Sequence, residues 1–176
     1  MTNQIAAAFQ KLDAHARSLK AGSFLFHAGD AVHHLYFVQT GEIHLLRHQP
    51  DGTALVLQRA RTAAPVAEAS LYSDRYHCDA KAVLATTLLA VDKRAFHRAL
   101  AGDAQMADAW SRHLAREVQA TRTRAEILAL RTVAQRLDAW LAGHGGVMPD
   151  KGGWKALAEE IGVSPEALYR EIARRR

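Results

Sequence analysis

Only one cysteine, Cys78, occurs in the 176 residues. That excludes an intramolecular disulfide, and it excludes a zinc or iron–sulfur site built from several cysteines of one chain. A reducing, cytoplasmic setting is the default expectation. Long hydrophobic runs are missing too: none approaches the roughly 18 residues that a membrane span needs. Met1-Thr2-Asn3-Gln4 has neither a basic n-region nor an apolar h-region, so no signal peptide is expected. No Gly-rich phosphate loop, nucleophile elbow or paired-carboxylate motif stands out, which argues against an enzyme. Charge of one sign is in short supply. The formal net charge is +5, a mild pointer toward a polyanion partner and no proof of one. Residues 1–103 carry 11 basic and 9 acidic groups, and residues 104–176 carry 12 and 9. Neither part is a basic tail, and the only like-charge run is Arg174-Arg175-Arg176.

What is present fits a chain with a real core: 49% of the residues are hydrophobic and 23% charged. Ile5, Ala8, Phe9 and Leu12 fall at helical spacing, which predicts a short amphipathic helix over Gln4 to Arg17. The texture then changes. Ser23 to Phe26, Leu35 to Val38, Glu42 to Arg47, Ala54 to Gln58, Cys78 to Ala85 and Thr87 to Val91 read as strands. Turns at Gly29-Asp30, Thr40-Gly41 and Pro50-Asp51-Gly52 separate the first of them, which argues for an antiparallel sandwich or barrel. Between the strands, Glu68-Ala69-Ser70-Leu71-Tyr72 predicts a single helical turn.

From Lys93 on the pattern is helical, broken at Gly102-Asp103. Residues 104–128 then hold no glycine or proline, and Met106, Trp110, Leu114, Val118, Thr121, Ala125 and Leu128 fall on one stripe. A helix of about 25 residues is about 37 Å long, more than a small β domain needs for its own closure. Such a helix usually packs along a second copy, so Met106, Trp110, Leu114 and Val118 are the expected homodimer seam. A further helix is expected over Leu130 to Leu141, ended by Gly143-His144-Gly145-Gly146.

The run from Trp154 to Arg170 has the layout of a helix-turn-helix. Ala158 must be small where the second helix crosses, and Gly162 sits in the turn, where a positive φ is expected. Leu157, Ile161, Val163 and Leu168 would hold the two helices at their angle. Ser164 is a good N-cap and Pro165 suits the first helical position. The outer face then offers Glu166, Tyr169, Arg170 and Arg174. Glutamate and arginine one turn apart can accept from cytosine and donate to guanine in a major groove. Ser164, Lys155 and the terminal arginines would contact phosphate.

A β-sandwich with an inserted helical turn, one long helix and a helix-turn-helix, in that order, resembles the CRP/FNR superfamily of bacterial transcription regulators. Gly29-Asp30, Leu35-Tyr36-Phe37-Val38 with Gly41, Glu68-Ala69-Ser70-Leu71, Phe96, Arg136-Leu137 and the helix-turn-helix carry the resemblance over nearly the whole chain. It implies an α+β chain in three parts. Residues 1–103 would be a cyclic-nucleotide-binding-like sensor, an antiparallel β-sandwich of the double-stranded β-helix kind. Residues 104–129 would be the dimerisation helix, and residues 130–176 the DNA-binding domain. The implied partners are double-stranded DNA, a second copy of the chain, a small-molecule effector and RNA polymerase, with no membrane. This sequence stops at Arg176, before the β-hairpin wing that members of the superfamily normally carry.

The resemblance also implies effector contacts, with departures. Glu68 matches a glutamate that meets the ribose hydroxyl, but the glycine before it is Ala67. The arginine that pairs with the cyclic phosphate should fall near Tyr76-His77 and does not, which leaves Arg75 reaching over or a protonated His77. Ala69, Ser70 and Thr121 complete the candidate set, Thr121 at a position that meets the purine. The cassette therefore reads as degenerate for cyclic AMP, and three alternatives stay open for the pocket: a cyclic nucleotide, another ligand, or none. No cofactor is certain. The single cysteine excludes the cluster-sensing branch of the superfamily. Haem, with His77 or Cys78 as ligand, is weighed against the reading that most of the ten histidines are surface or satisfied polar residues. His33-His34 and His77-Cys78 lack chelate spacing, because neighbours on a strand point apart. Two other classes stand against the regulator: a ligand-binding or protein-interaction module of the same fold without sequence-specific DNA binding, and a small-molecule enzyme in a cupin-like sandwich.

Overall fold

Glycine-centred turns cut the first half of the chain into short extended segments, and eight strands result among the described residues. The computed structural model describes Phe9 and residues 12–175. The strands are β1 (Ala14–Leu19), β2 (Phe24–Phe26), β3 (His34–Thr40), β4 (Glu42–His48), β5 (Ala54–Arg61), β6 (Pro65–Val66), β7 (Asp79–Ala82) and β8 (Thr86–Asp92). They form two four-stranded antiparallel sheets, ordered β1-β8-β3-β6 and β2-β7-β4-β5. Gly41, between β3 and β4, has a φ of +90°, and a β-carbon there would lie 2.5 Å from the Ala85 carbonyl oxygen. Only glycine closes that turn.

Alternation along the strands builds the core. Ile43 and Leu45 of β4, Ala80 and Ala82 of β7, Tyr36 and Val38 of β3, and Leu88 and Ala90 of β8 are all buried in one cluster. The Tyr76 ring stacks on Phe26 at 3.5 Å. Its hydroxyl donates to the His34 carbonyl at 2.9 Å, which satisfies the polar end of a buried ring.

The expected helix over Gln4 to Arg17 is corrected at its C-terminal end. Ala14–Leu19 is strand β1, paired with β8 from Ala14↔Val91 to Leu19↔Thr86. Six residues of antiparallel ladder outweigh the mild helical preference of Ala-His-Ala-Arg. Phe9 is helical and fully buried, with its ring 5.1 Å from Phe37 and 5.3 Å from Phe96. Ile5 and Ala8 lie outside the described residues.

The helices follow. They are α1 (Lys93–Gly102), α2 (Ala104–Ala129), α3 (Val133–Gly143), α4 (Trp154–Glu160) and α5 (Pro165–Arg174). Asp92 caps α1 by accepting from the Ala95 amide at 2.8 Å. Thr132 and Gln135 form a reciprocal capping box at the start of α3. At 26 residues, α2 is about 39 Å long. The chain divides into two compact units, residues 1–112 and 113–176. The second has its own core of Ile127, Leu137, Trp140, Leu157, Ala158, Ile161 and Leu168. No helix among the described residues is long and apolar enough to cross a membrane.

Candidate nucleic-acid interface and ligand cassette

Two helices joined by a tight turn make the first site. Ala158 is fully buried, and its carbonyl accepts from the Val163 amide at 2.9 Å. Gly162 has the positive φ, +68°, that the turn requires. Ser164 caps α5 by accepting from the Ala167 amide at 3.2 Å, with Pro165 in the first helical position. Leu168 is buried and faces α4 within the core of this unit. The opposite face of α5 carries Glu166, Tyr169 and Arg170, all exposed. The Glu166 carboxyl is held below the usual range by its own backbone amide and by the Ser164 hydroxyl, so it is ionised at the helix N-terminus. The Tyr169 ring lies 5.6 Å from Trp154, whose indole N–H donates to the Pro149 carbonyl at 3.0 Å. Lys155, on α4, is exposed.

The terminal arginines differ from expectation. Glu171, unremarked in the sequence, is buried on α5 and gathers them. Arg174 donates to both of its carboxylate oxygens, at 3.1 and 2.9 Å. Arg175 donates to Glu171 at 2.7 Å, to the Ala134 carbonyl at 3.1 Å and to the Asp138 carboxylate. Arg175 thus ties α5 to α3 instead of facing a phosphate. Arg174 keeps an exposed side chain, but its guanidinium is turned onto its own helix. Arg176 lies outside the described residues. No pattern of period 3.6 distinguishes a buried glutamate with two arginine partners from a solvated one.

The second site lies in the sandwich unit. A 3-10 turn, Glu68–Ser70, follows β6. Ala67 adopts the left-handed conformation at φ 59° that its position demands, although it is not glycine. Glu68 is buried and accepts from the Gln58 side-chain amide at 2.8 Å. Gln58 is the contact that the sequence reading missed. Ser70 is fully buried with its hydroxyl 3.3 Å from His77 Nδ1, and Ala69 is exposed. Arg47 donates to the His77 carbonyl at 3.4 Å. The expectation that Arg75 reaches over to replace the missing arginine is corrected. Its guanidinium donates to the Gly29 carbonyl at 2.7 Å, and its backbone bridges Ala31. Thr121 is exposed on α2. The Cys78 thiol is buried, and burial pushes its pKa up. Among the described residues no three His, Cys, Asp or Glu side chains come together to hold a metal ion.

On α2 the expected seam divides. Trp110 is corrected: it is buried, with its ring edge-on to Phe96 at 4.9 Å, so it packs into its own unit. Met106 and Leu114 are half-buried. Val118 is 49% exposed, with Thr121, Ala125 and Leu128 also exposed along the stripe.

Residues 16–103 match the family described as Cyclic nucleotide-binding domain, half of the chain. The chain belongs to that family. Solved structures extend the likeness in fold to nearly the whole length of this cyclic nucleotide-binding domain protein. FixK2 from Bradyrhizobium japonicum is 16% identical with a TM-score of 0.74, over 93% of this chain and 84% of that one. The c-di-GMP-responsive global regulator CLP of Xanthomonas campestris is 22% identical with a TM-score of 0.70, over 98% and 90%. A CRP-family transcriptional regulator from Thermus thermophilus, TTHB099, is 17% identical with a TM-score of 0.64, over 90% and 83%. The β-sandwich followed by the C-terminal helices is therefore the CRP-type architecture expected from the sequence. No curated protein is significantly similar in sequence.

Proposed function

We propose that this protein is a homodimeric, DNA-binding transcription regulator of the CRP/FNR type, and not an enzyme. The observation that carries the reading is the outer face of α5. Glu166, Tyr169 and Arg170 stand exposed on a capped helix that Leu168 and Ala158 seat against α4. Glu166 and Arg170 contact bases, while Ser164 and Lys155 contact phosphate. Residues 1–103 act as the sensor, residues 104–129 as the dimerisation helix and residues 130–176 as the DNA-binding domain. Leu114 and Val118 form the centre of the dimer seam. Two copies would present two reading heads to half-sites about 34 Å apart. The chain works in the cytoplasm, with RNA polymerase as a partner.

The sensor does not take cyclic AMP in the usual way. Glu68 is engaged by Gln58 and Arg75 by Gly29, and the resemblance puts the phosphate-pairing arginine near Tyr76-His77, where the sequence has none. An imidazole gives a phosphate at most one charge-assisted hydrogen bond from each ring nitrogen, where a guanidinium gives a bidentate pair.

The test is selection of bound DNA from a random pool, with and without cyclic nucleotides. A palindromic site enriched equally in both arms is the expected result. No enrichment in either arm would defeat the reading and favour a protein-interaction module.

A further inference from the structure

Two helix ends in the second unit converge on one side chain. Helix α2 ends at Ala129 and helix α4 at Glu160. The last carbonyls of any helix lack intrahelical donors and form the negative end of its dipole. Arg136, in the first turn of α3, reaches the C-terminal end of both, through one carbonyl in the last turn of α2 and three carbonyls just past the two helix ends. Its Nε donates to the Leu130 carbonyl at 2.9 Å and its Nη2 to the Leu128 carbonyl at 3.0 Å. Its Nη1 donates to the Gly162 carbonyl at 2.8 Å and to the Ile161 carbonyl at 3.2 Å. The planar fork of arginine suits this, because its five N–H groups diverge in a fixed geometry that a lysine ammonium does not reproduce. Leu128 also packs against Gly162, so the same two segments touch through side chain and backbone.

We infer that Arg136 is a positioning residue that fastens the last turn of α2 to the turn of the helix-turn-helix, so that the reading helix takes its bearing from the long helix. A rotation or shift in the last turn of α2 moves the Leu128 carbonyl, and the shared guanidinium carries the Gly162 turn with it. Helix α5 starts three residues beyond Gly162 and follows. The consequence for DNA rests on the regulator proposal, whereas the fastening is internal to residues 113–176.

The experiment uses the full chain and reads both levels. Spin labels are placed by Arg122→Cys on α2 and Ala173→Cys on α5, in a Cys78→Ser background. Labelled chains are diluted into unlabelled ones so that only intrachain distances are measured. One narrow distribution is expected with Arg136 present. Arg136→Gln should broaden it about twofold or more, and Arg136→Lys, which keeps the charge but loses the fork, should fall between them. A distribution as narrow in Arg136→Gln as with Arg136 overturns the inference. So does loss of helical circular dichroism in both variants, which would make Arg136 a folding residue.

On DNA, the selected site is remade with one base pair added or removed between half-sites. Binding by the parent chain should fall about tenfold or more on such sites, because the heads are turned out of register. Arg136→Gln should fall less than about threefold between spacings while keeping its base preference within each half-site. Equal weakening at every spacing would mark a residue that serves stability alone and would overturn the inference. If the parent chain selects no DNA, the regulator proposal falls, and the distance measurement still decides the role of Arg136.

Discussion

Leu128 Cδ2 occupies the space in which a side chain at Gly162 would begin: a β-carbon there would lie 2.5 Å from it. The backbone of Gly162 is left-handed as well, at φ +68°. The two effects are separable, because Leu128 is the flexible end of a side chain and can turn aside. Gly162→Ala should destabilise the helix-turn-helix unit by about 1–2 kcal/mol from the backbone alone. Adding Leu128→Ala should not restore it. Urea unfolding of the single and double variants checks this, and full recovery in the double variant would assign the cost to the steric contact instead.

Ala67 presents the opposite case, a side chain where the backbone asks for none. Three effects nearly cancel on Ala67→Gly. Relief of the left-handed conformation gains about 1–2 kcal/mol. The extra freedom of glycine in the unfolded chain costs about 0.4–1 kcal/mol, and the lost buried methyl costs about 0.8 kcal/mol. Ala67→Gly should therefore leave stability within about 1 kcal/mol of the parent. Ala67→Val places a β-branched residue at φ 59° and should cost about 1–3 kcal/mol. Thermal or urea melts of the two variants should differ in that order, and a strongly stabilising Ala67→Gly would show that the strain is larger than reckoned.

The contrast between these positions explains what was legible in the sequence. Gly162, Ser164 and Pro165 declare their conformations through local chemistry, and the turn between the two helices was readable from them. The strands were readable because Gly41 and Gly52 punctuate alternating apolar residues. Strand β1 was not, since its extended form comes from pairing with β8, some seventy residues away. Trp110 shows the same limit on a helix. Its spacing placed it on the apolar stripe, but a period gives a direction and does not name the partner, which is Phe96. The arginines were misread for a related reason. Arg75 and Arg175 look free in a string of letters, and only tertiary neighbours, the Gly29 carbonyl and the Asp138 and Glu171 carboxylates, show them engaged.

Arg170 is exposed on the outer face of α5, one turn after Glu166. If it reads a guanine, Arg170→Ala should cost about 1–3 kcal/mol of binding and relax preference at one base pair per half-site. Lys155→Ala should weaken binding uniformly and lower the salt slope by about 1. Titrations of the selected site and of single-base variants, at several salt concentrations, separate the two roles. Equal loss by Arg170→Ala on every sequence would remove its base contact.

Val118 is a β-branched residue exposed halfway along a 26-residue helix. In a dimer seam, a carboxylate there would be buried against its own copy. Val118→Asp should therefore shift the chain to monomer at micromolar concentration, while helix content stays near that of the parent. Trp110→Ala should act differently. It removes a ring packed on Phe96 within one chain, and should cost about 3–5 kcal/mol in stability. Light scattering after gel filtration, paired with thermal melts, distinguishes assembly from folding, and a dimeric Val118→Asp would move the seam elsewhere.

Glu171 sets the acid behaviour of helix α5. Hydrogen bonds from Arg174 and Arg175 lower its carboxyl from an ordinary 4.5 to about 2. A group depressed in the folded state stabilises at every pH above its unfolded value, and that contribution fades as the pH falls through the folded value. The window here runs from about 4.5 down to about 2. Glu171→Gln should be less stable than the parent at neutral pH, by an amount that stays constant down to about pH 5. The gap should then shrink and close near pH 2, because the protonated acid and the amide are alike in charge. Other depressed carboxylates, such as Asp79 beside His48 and Glu42 beside His44, titrate equally in both chains and drop out of the difference. Urea titrations of the pair across this range measure the gap directly. A gap undiminished at pH 2 would show that Glu171 holds the arginines through packing and hydrogen-bond geometry, and that its charge contributes nothing to folding.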